Sequence, residues 1–167
     1  MHSSPIRLGW QMVASRELQK VGLAAIEGGC LLVVRKKGTR AFILPGGKPE
    51  GAEQDLETLS REIDEELGCS VGYLRFEGAF TDVAADTPNT IVTVRLYAGK
   101  LLGDPHPASE IEELAWISLN GPCDLPLAPS LTNKILPHLH RELSAVISRA
   151  PTPCRVRAER LVHRAPA

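Results

Sequence analysis

Three glutamates stand close together in the middle of the chain, at Glu62, Glu65 and Glu66, directly after Arg61. The spacing i, i+3, i+4 brings their carboxylates to one flank of a helix. Three like charges so gathered repel one another and cost stability. A hard divalent cation such as Mg²⁺ removes that cost, because it takes oxygen ligands. Upstream, Gly46-Gly47 forms a tight loop whose backbone can approach a ligand closely. The basic run Arg35, Lys36, Lys37 and Arg40 precedes that loop and offers charge-assisted contacts to phosphate. Together these residues point to a cation held on an acidic flank, beside a basic turn that either grips phosphate or is simply solvated.

The element that must position the carboxylates is a helix. Ala52 to Leu67 contains no Pro or Gly, and Leu56, Leu59, Ile63 and Leu67 recur at helical spacing. At about 100° per residue the acidic flank lies roughly 110° round from this apolar stripe. One side can therefore be buried while the other presents acid. Gly68 follows as a C-terminal cap.

The segment Gly47 to Cys69 resembles the Nudix box, G-x5-E-x7-R-E-U-x-E-E-x-G-U, where U is a bulky aliphatic residue. Gly47, Glu53, Arg61-Glu62, Ile63, Glu65-Glu66 and Gly68 stand at the required offsets, and Cys69 replaces the last aliphatic residue. Seven charged or glycine positions at set offsets arise by chance on the order of 10⁻⁸ per starting position. The resemblance implies hydrolysis of a nucleoside diphosphate linked to another group. It further implies that Mg²⁺, or Mn²⁺ in its place, is held by Glu62, Glu65 and Glu66 with the Gly46 carbonyl. Arg61 and Glu53 would pair and hold loop and helix together. Glu110 lies six residues before Trp116, where MutT-type members carry a further acid. Glu110 and Glu65 are thus competing candidates for general base, with Glu112 and Glu113 nearby. The catalytic set is Glu62, Glu65 and Glu110 with Arg61. Arg35 and Lys36 are candidates for the substrate phosphates, and Asn133 for the base. His138 and His140 fit a helix surface or core edge better than catalysis.

The 167 residues, 43% of them hydrophobic, suit one domain with an ample core. A net charge of -1 argues against a general nucleic-acid or membrane binder. No run of 18 apolar residues and no apolar leader stand in the sequence, so a cytoplasmic protein is expected. The four cysteines are scattered and suggest neither a zinc site nor a disulfide frame. Monomer and homodimer both remain open.

In chain order, residues 1–20 read as an extension or edge strand, 21–147 as the Nudix domain and 148–167 as a basic tail. Within the domain, Val21 to Ile26 and Cys30 to Arg35 form a hairpin, and Ala41 to Leu44 a short strand. A long strand, Val71 to Ala84, turns at 85–89 into an antiparallel partner, Thr90 to Leu101. Glu113 to Leu119 is a further strand. Ser130 caps a second helix, Leu131 to Ile147, with Pro137 near its start. Strands, helix, strands, helix predict an α/β/α sandwich with a mixed central sheet, the fold of the Nudix resemblance, with the box as loop-helix-loop.

The region downstream of the box lacks the Tyr of dinucleoside-polyphosphate and NADH members, and Pro88 is displaced from the position seen in ADP-ribose members. A MutT-type enzyme giving a nucleoside monophosphate and pyrophosphate is the leading expectation. ADP-ribose or another nucleotide sugar is the alternative. A nucleotide-binding module without turnover is the alternative of another class.

Overall fold

A computed structural model of the chain describes residues 16–147. The elements are β1 (Arg16–Glu27), β2 (Cys30–Lys36), β3 (Gly46–Gly47), α1 (Asp55–Leu67), β4 (Ser70–Val83), β5 (Thr90–Leu102), β6 (Ile111–Ser118) and α2 (Leu136–Ile147). A π-helical turn, Leu131–Ile135, leads into α2. The sheet order is β4-β5-β1-β2-β6, with β3 against β1. β1 runs parallel to β5 from Arg16↔Thr90 to Ala25↔Gly99, and the remaining pairs are antiparallel. The sheet is therefore mixed, as expected.

Strand alternation sends side chains to two cores. Val21, Leu23, Leu32 and Val34 pack with Leu59, Ile63 and Leu67 of α1. Ala24, Leu31, Val33, Val94 and Leu96 pack with Leu131, Ile135 and Leu139 on the other face. The layers are α1, sheet and α2, an α/β/α sandwich.

The feature that builds the site is a divergence. β1 and β2 pair only beside their turn, at Ile26↔Leu31 and Glu27↔Cys30. Beyond that they part, and residues 42–47 enter the gap. Val34 and Ile43 exchange two backbone hydrogen bonds of 2.8 Å, and Leu23 N–H donates to the Pro45 carbonyl at 2.9 Å. Gly46 then pairs with Gly22 of β1. A Cβ on Gly46, at φ 125°, would lie 2.3 Å from the Val21 carbonyl oxygen, so glycine is required there. Ala41 to Leu44 makes isolated bridges through Phe42 and Ile43 rather than the expected strand, and the regular pairing falls at Gly46–Gly47. Wedged between two diverging strands, the segment finds a backbone partner on each side in turn.

Other boundaries also moved. β1 begins at Arg16, so the ambiguous stretch before residue 21 is strand as far as it is described. α1 starts at Asp55, where the Glu57 carboxylate accepts the Gln54 N–H at 2.8 Å. Leu56 is 48% exposed despite its place on the apolar stripe. The first turn is anchored instead through Asp55, which accepts hydrogen bonds from Arg95 and Tyr97 of β5. Gly68 caps α1 at φ 63° as expected, and Cys69 is buried among Leu67, Leu101 and Ile111 in the aliphatic position it replaces.

β4 is one long strand with two register shifts, near Gly72 and Gly78. Ser130 has helical backbone angles and makes no side-chain cap, contrary to expectation. The wide turn that follows, closed by Leu136 N–H on the Leu131 carbonyl, ends beside Pro137. That residue has no N–H to continue an α-type ladder backward. The basic tail, 148–167, lies outside the described residues.

Ile63 is fully buried at the centre of the α1 contact. Ile63→Ala should lower the unfolding free energy by about 2–5 kcal/mol, measured by urea titration. A loss well under 1 kcal/mol would mean that α1 is not held on the sheet by this stripe.

Candidate functional site

The three box glutamates end in different surroundings. Glu66, in the last turn of α1, is 1% exposed. Its Oε2 accepts the Gly46 N–H at 2.9 Å, and its Oε1 lies 2.9 Å from Lys36 Nζ. Burial pushes its carboxyl above the ordinary value, while Lys36 and the Gly46 N–H work against that. Glu62 is nearly buried and lies over Gly47, where a Cβ would stand 2.0 Å from its Oε1. Glycine is thus needed at 47 for close approach. The Glu65 side chain is half-exposed and reaches Arg61 Nη1 at 3.4 Å.

Arg61 is the hub beside them. Its Nε and Nη2 donate to the two carboxylate oxygens of Glu53 at 2.8 and 3.0 Å, a bidentate fork. Nη2 also donates to the Lys48 carbonyl at 3.1 Å, and Nη1 to Glu62 Oε1 at 3.0 Å. One guanidinium ties the loop after Gly47 to the helix. The expected Arg61–Glu53 pair is present. Arg61, with the Glu50 N–H and the Thr58 hydroxyl, holds the Glu53 carboxyl at about 2.

A register shift between Arg35 and Lys36 separates the two basic residues. Lys36 Nζ bridges Glu66 Oε1 and Glu110 Oε1. Burial lowers its pKa, but Glu66 and Glu110 outweigh that and raise it. Arg35 Nη1 instead lies 2.7 Å from Glu112 Oε2, and Nη2 lies 3.1 Å from Glu113 Oε2. Its guanidinium also sits 5.8 Å from the Phe42 ring centroid. The three glutamates before Trp116 are thereby sorted. Glu110 reaches the box through Lys36, whereas Glu112 and Glu113 hold Arg35.

Two cavities meet here. An apolar slot of about 180 Å³ is lined by Leu18, Gly22, Leu44, Val92, Val94 and Leu131, with Asp86, Thr87 and Ser130 among its polar groups. A polar cleft of about 490 Å³ is lined by Gly47, Lys48, Glu50, Glu62 and Glu110. Lys20 and Lys36 line both. The slot lies between β1, β5, residues 41–46 and the turn that leads into α2.

A profile of the NUDIX domain matches residues 19–139. The chain belongs to the Nudix family. It is 32% identical over 105 residues to a Mycobacterium tuberculosis protein provisionally named 8-oxo-dGTP diphosphatase 2, covering 60% of this chain and 73% of that one. It is 28% identical over 102 residues to the uncharacterized Nudix hydrolase YvcI of Bacillus subtilis, covering 59% and 65%. Among solved structures, the MutT NUDIX hydrolase from Burkholderia pseudomallei superposes with a TM-score of 0.64 at 23% identity, over 74% of this chain and 98% of that one. The match to solved structures fixes the fold, and the family match makes the chain a Nudix hydrolase.

Nudix hydrolases generally use divalent metal ions. The described residues contain no group of three His, Cys, Asp or Glu side chains already gathered in metal-binding geometry. The ammonium of Lys36 and the guanidinium of Arg61 stand against the carboxylates instead. The donors nevertheless suit a hard cation: all are oxygens, and the buried Glu66 Oε1 has only the Lys36 ammonium beside it.

The remaining candidates lie apart. Asn133 is exposed and donates to Asp82 Oδ2 at 3.0 Å, and neither it nor Arg35 lines the slot or the cleft. The His138 ring packs tilted against Phe80 and lies 3.3 Å from Glu77, at the contact between α2 and β4. Lys20, Asp86 and Thr87 escaped the sequence reading. Lys20 is a lone cation inside the apolar run LQKVGLAAI, a signal that belongs to no motif. The turn carrying Asp86 and Thr87 reads only as a connection.

The Glu53 carboxyl lies at about 2 in the fold, below its ordinary 4.5. A depressed carboxylate contributes stability above its unfolded pKa and loses it as pH falls through the folded one. Wild type should therefore exceed Glu53→Gln in urea midpoint at pH 6, and the gap should close between about pH 5 and pH 2. A gap that stays constant with pH would show that the Arg61 pair does not carry it.

Proposed function

We propose that this Nudix hydrolase cleaves a nucleoside triphosphate to the monophosphate and pyrophosphate in a Mg²⁺-dependent reaction. The observation that carries this reading is the junction of the apolar slot with the acid-lined cleft. A flat, largely apolar base suits the slot. The phosphates then pass between Lys20 and Lys36 into the cleft that holds Glu62 and Glu110. The provisional name of the mycobacterial relative, an 8-oxo-dGTP diphosphatase, supports a nucleoside triphosphate.

Glu62, Glu65 and Glu66 with the Gly46 carbonyl would hold Mg²⁺, and Mn²⁺ can substitute. When bound, the ion supplies charge neutralisation on the pyrophosphate and acidifies water. The chain's own groups do the rest. Arg61 holds Glu62 and the loop in register through Glu53. Lys36 meets the phosphates from the neck. Water adds to the phosphorus nearer the nucleoside, and its oxygen stays on the monophosphate. Its proton passes to the Glu110 carboxylate, which lines the cleft. Glu65 lines neither cavity and is the weaker candidate for that role. Pyrophosphate leaves through the open side of the cleft.

A nucleoside diphosphate sugar would break at the same link and give a monophosphate plus a sugar phosphate. The size of the cleft, larger than the slot, favours keeping this as the second reading.

Purified protein with Mg²⁺ should release a nucleoside monophosphate and pyrophosphate from at least one nucleoside triphosphate, and EDTA should abolish the reaction. Glu65→Gln and Glu66→Gln should each lower kcat by at least about 10²-fold with the fold intact, because each removes charge that offsets the transition state. Full activity in either variant would sink the assignment. Glu110→Gln should lower kcat by roughly 10- to 10³-fold, and Glu112→Gln and Glu113→Gln by less. Equal small losses at all three would mean that Glu110 is only a solvated loop acid. In ¹⁸O-water the label should enter the monophosphate. Orthophosphate as the main first product would mean a terminal phosphatase.

A further inference from the structure

Leu18, Lys20 and Gly22 are alternate residues of β1, and all three line the slot. Lys20 also lines the cleft, so it stands at the neck between them. Lys36 shares the neck, but its ammonium is committed to Glu66 and Glu110. Lys20 has no such commitment: among the described residues, none accepts a hydrogen bond from its ammonium or forms an ion pair with it. Its pKa is pushed down first by burial, then by the ammonium groups of Lys36 and Lys48. Glu66 and Glu110 pull the other way without reaching it.

A largely desolvated cation without a counter-ion is unfavourable for folding alone. An anion at the neck would relieve both the desolvation and the repulsion among the three lysines. If the base fills the slot and the pyrophosphate faces the box, the group at the neck is the phosphate joined to the nucleoside.

We propose that Lys20 binds the phosphate nearest the nucleoside, at the neck of the site, and so sets which phosphorus lies beside the box carboxylates. This rests on the nucleotide reading above and names the residue that reads the nucleotide's first phosphate. It also separates Lys20 from Lys36 in role. Lys36 is balanced by the acidic groups before substrate arrives, whereas Lys20 is balanced by the substrate itself.

Equilibrium titration of the full chain with dGMP and AMP, and with deoxyguanosine and adenosine, tests this. Lys20→Met should weaken monophosphate binding by about 10-fold or more, as loss of a charge-assisted contact does. Binding of the matching nucleosides should change by less than about twofold, and Lys20→Arg should keep most of the monophosphate affinity. Thermal unfolding of Lys20→Met should be no lower than wild type, since no partner is stranded. Equal loss for nucleoside and monophosphate would place Lys20 on the base, and no loss for either would remove it from the site. Both overturn the proposal and leave the hydrolysis reading standing. Wild-type protein that binds neither monophosphate would overturn both.

Discussion

The Glu66 carboxylate is the joint on which the site depends. It belongs to α1, accepts the Gly46 N–H of the glycine loop and lies against Lys36 of β2. Three segments distant in sequence are thus held by two oxygens with almost no exposure to water. An ionised carboxylate in such a place persists only where donors and cations surround it. The glycine loop and the bulge before Lys36 supply them. Removing any one contact leaves the others with a buried charge to satisfy.

The C-terminal end of α1 is secured from the same side. His106 N–H donates to the Leu67 carbonyl, and Ala108 N–H to that of Glu66. These bonds use carbonyls that a helix end would otherwise leave open. They also fix the loop that leads to Glu110. The acid at 110 arrives beside Lys36 because its loop caps the helix that carries the box. The helix cap and the placement of Glu110 share one set of backbone contacts.

Charge in the site is balanced by position rather than by count. Lys36 and Arg61 each pair with box acids, and Arg35 is drawn off by Glu112 and Glu113. Apart from Arg61–Glu62, which lies within α1, these ion pairs span two segments and so also report the fold. A phosphorylated substrate entering with a divalent ion would meet carboxylates already spaced by cations and lysines already aimed inward. Preorganisation of this kind reduces the rearrangement that charge development would otherwise demand.

The sequence by itself determined the helix, the box and the family. Those depend on local spacing: i, i+3 and i+4 place acids on one flank whatever surrounds them. Gly68, the alternation in β5 and the long bulged β4 were legible for the same reason. The tertiary structure decided what local pattern does not encode. Arg35 and Lys36 are adjacent in sequence and equal in charge, yet a register shift sends one to Glu112 and Glu113 and the other to the box. Glu110 is separated from Glu112 and Glu113 by the segment across from it, not by its own type. Leu56 follows the stripe and is still exposed, because Asp55 anchors the first turn. Lys20 came to line both cavities only when β1 and β2 diverged and residues 42–47 entered between them. Spacing along one chain fixes which face a side chain takes. Which partner meets that face is set by non-local pairing, and no single segment carries that information.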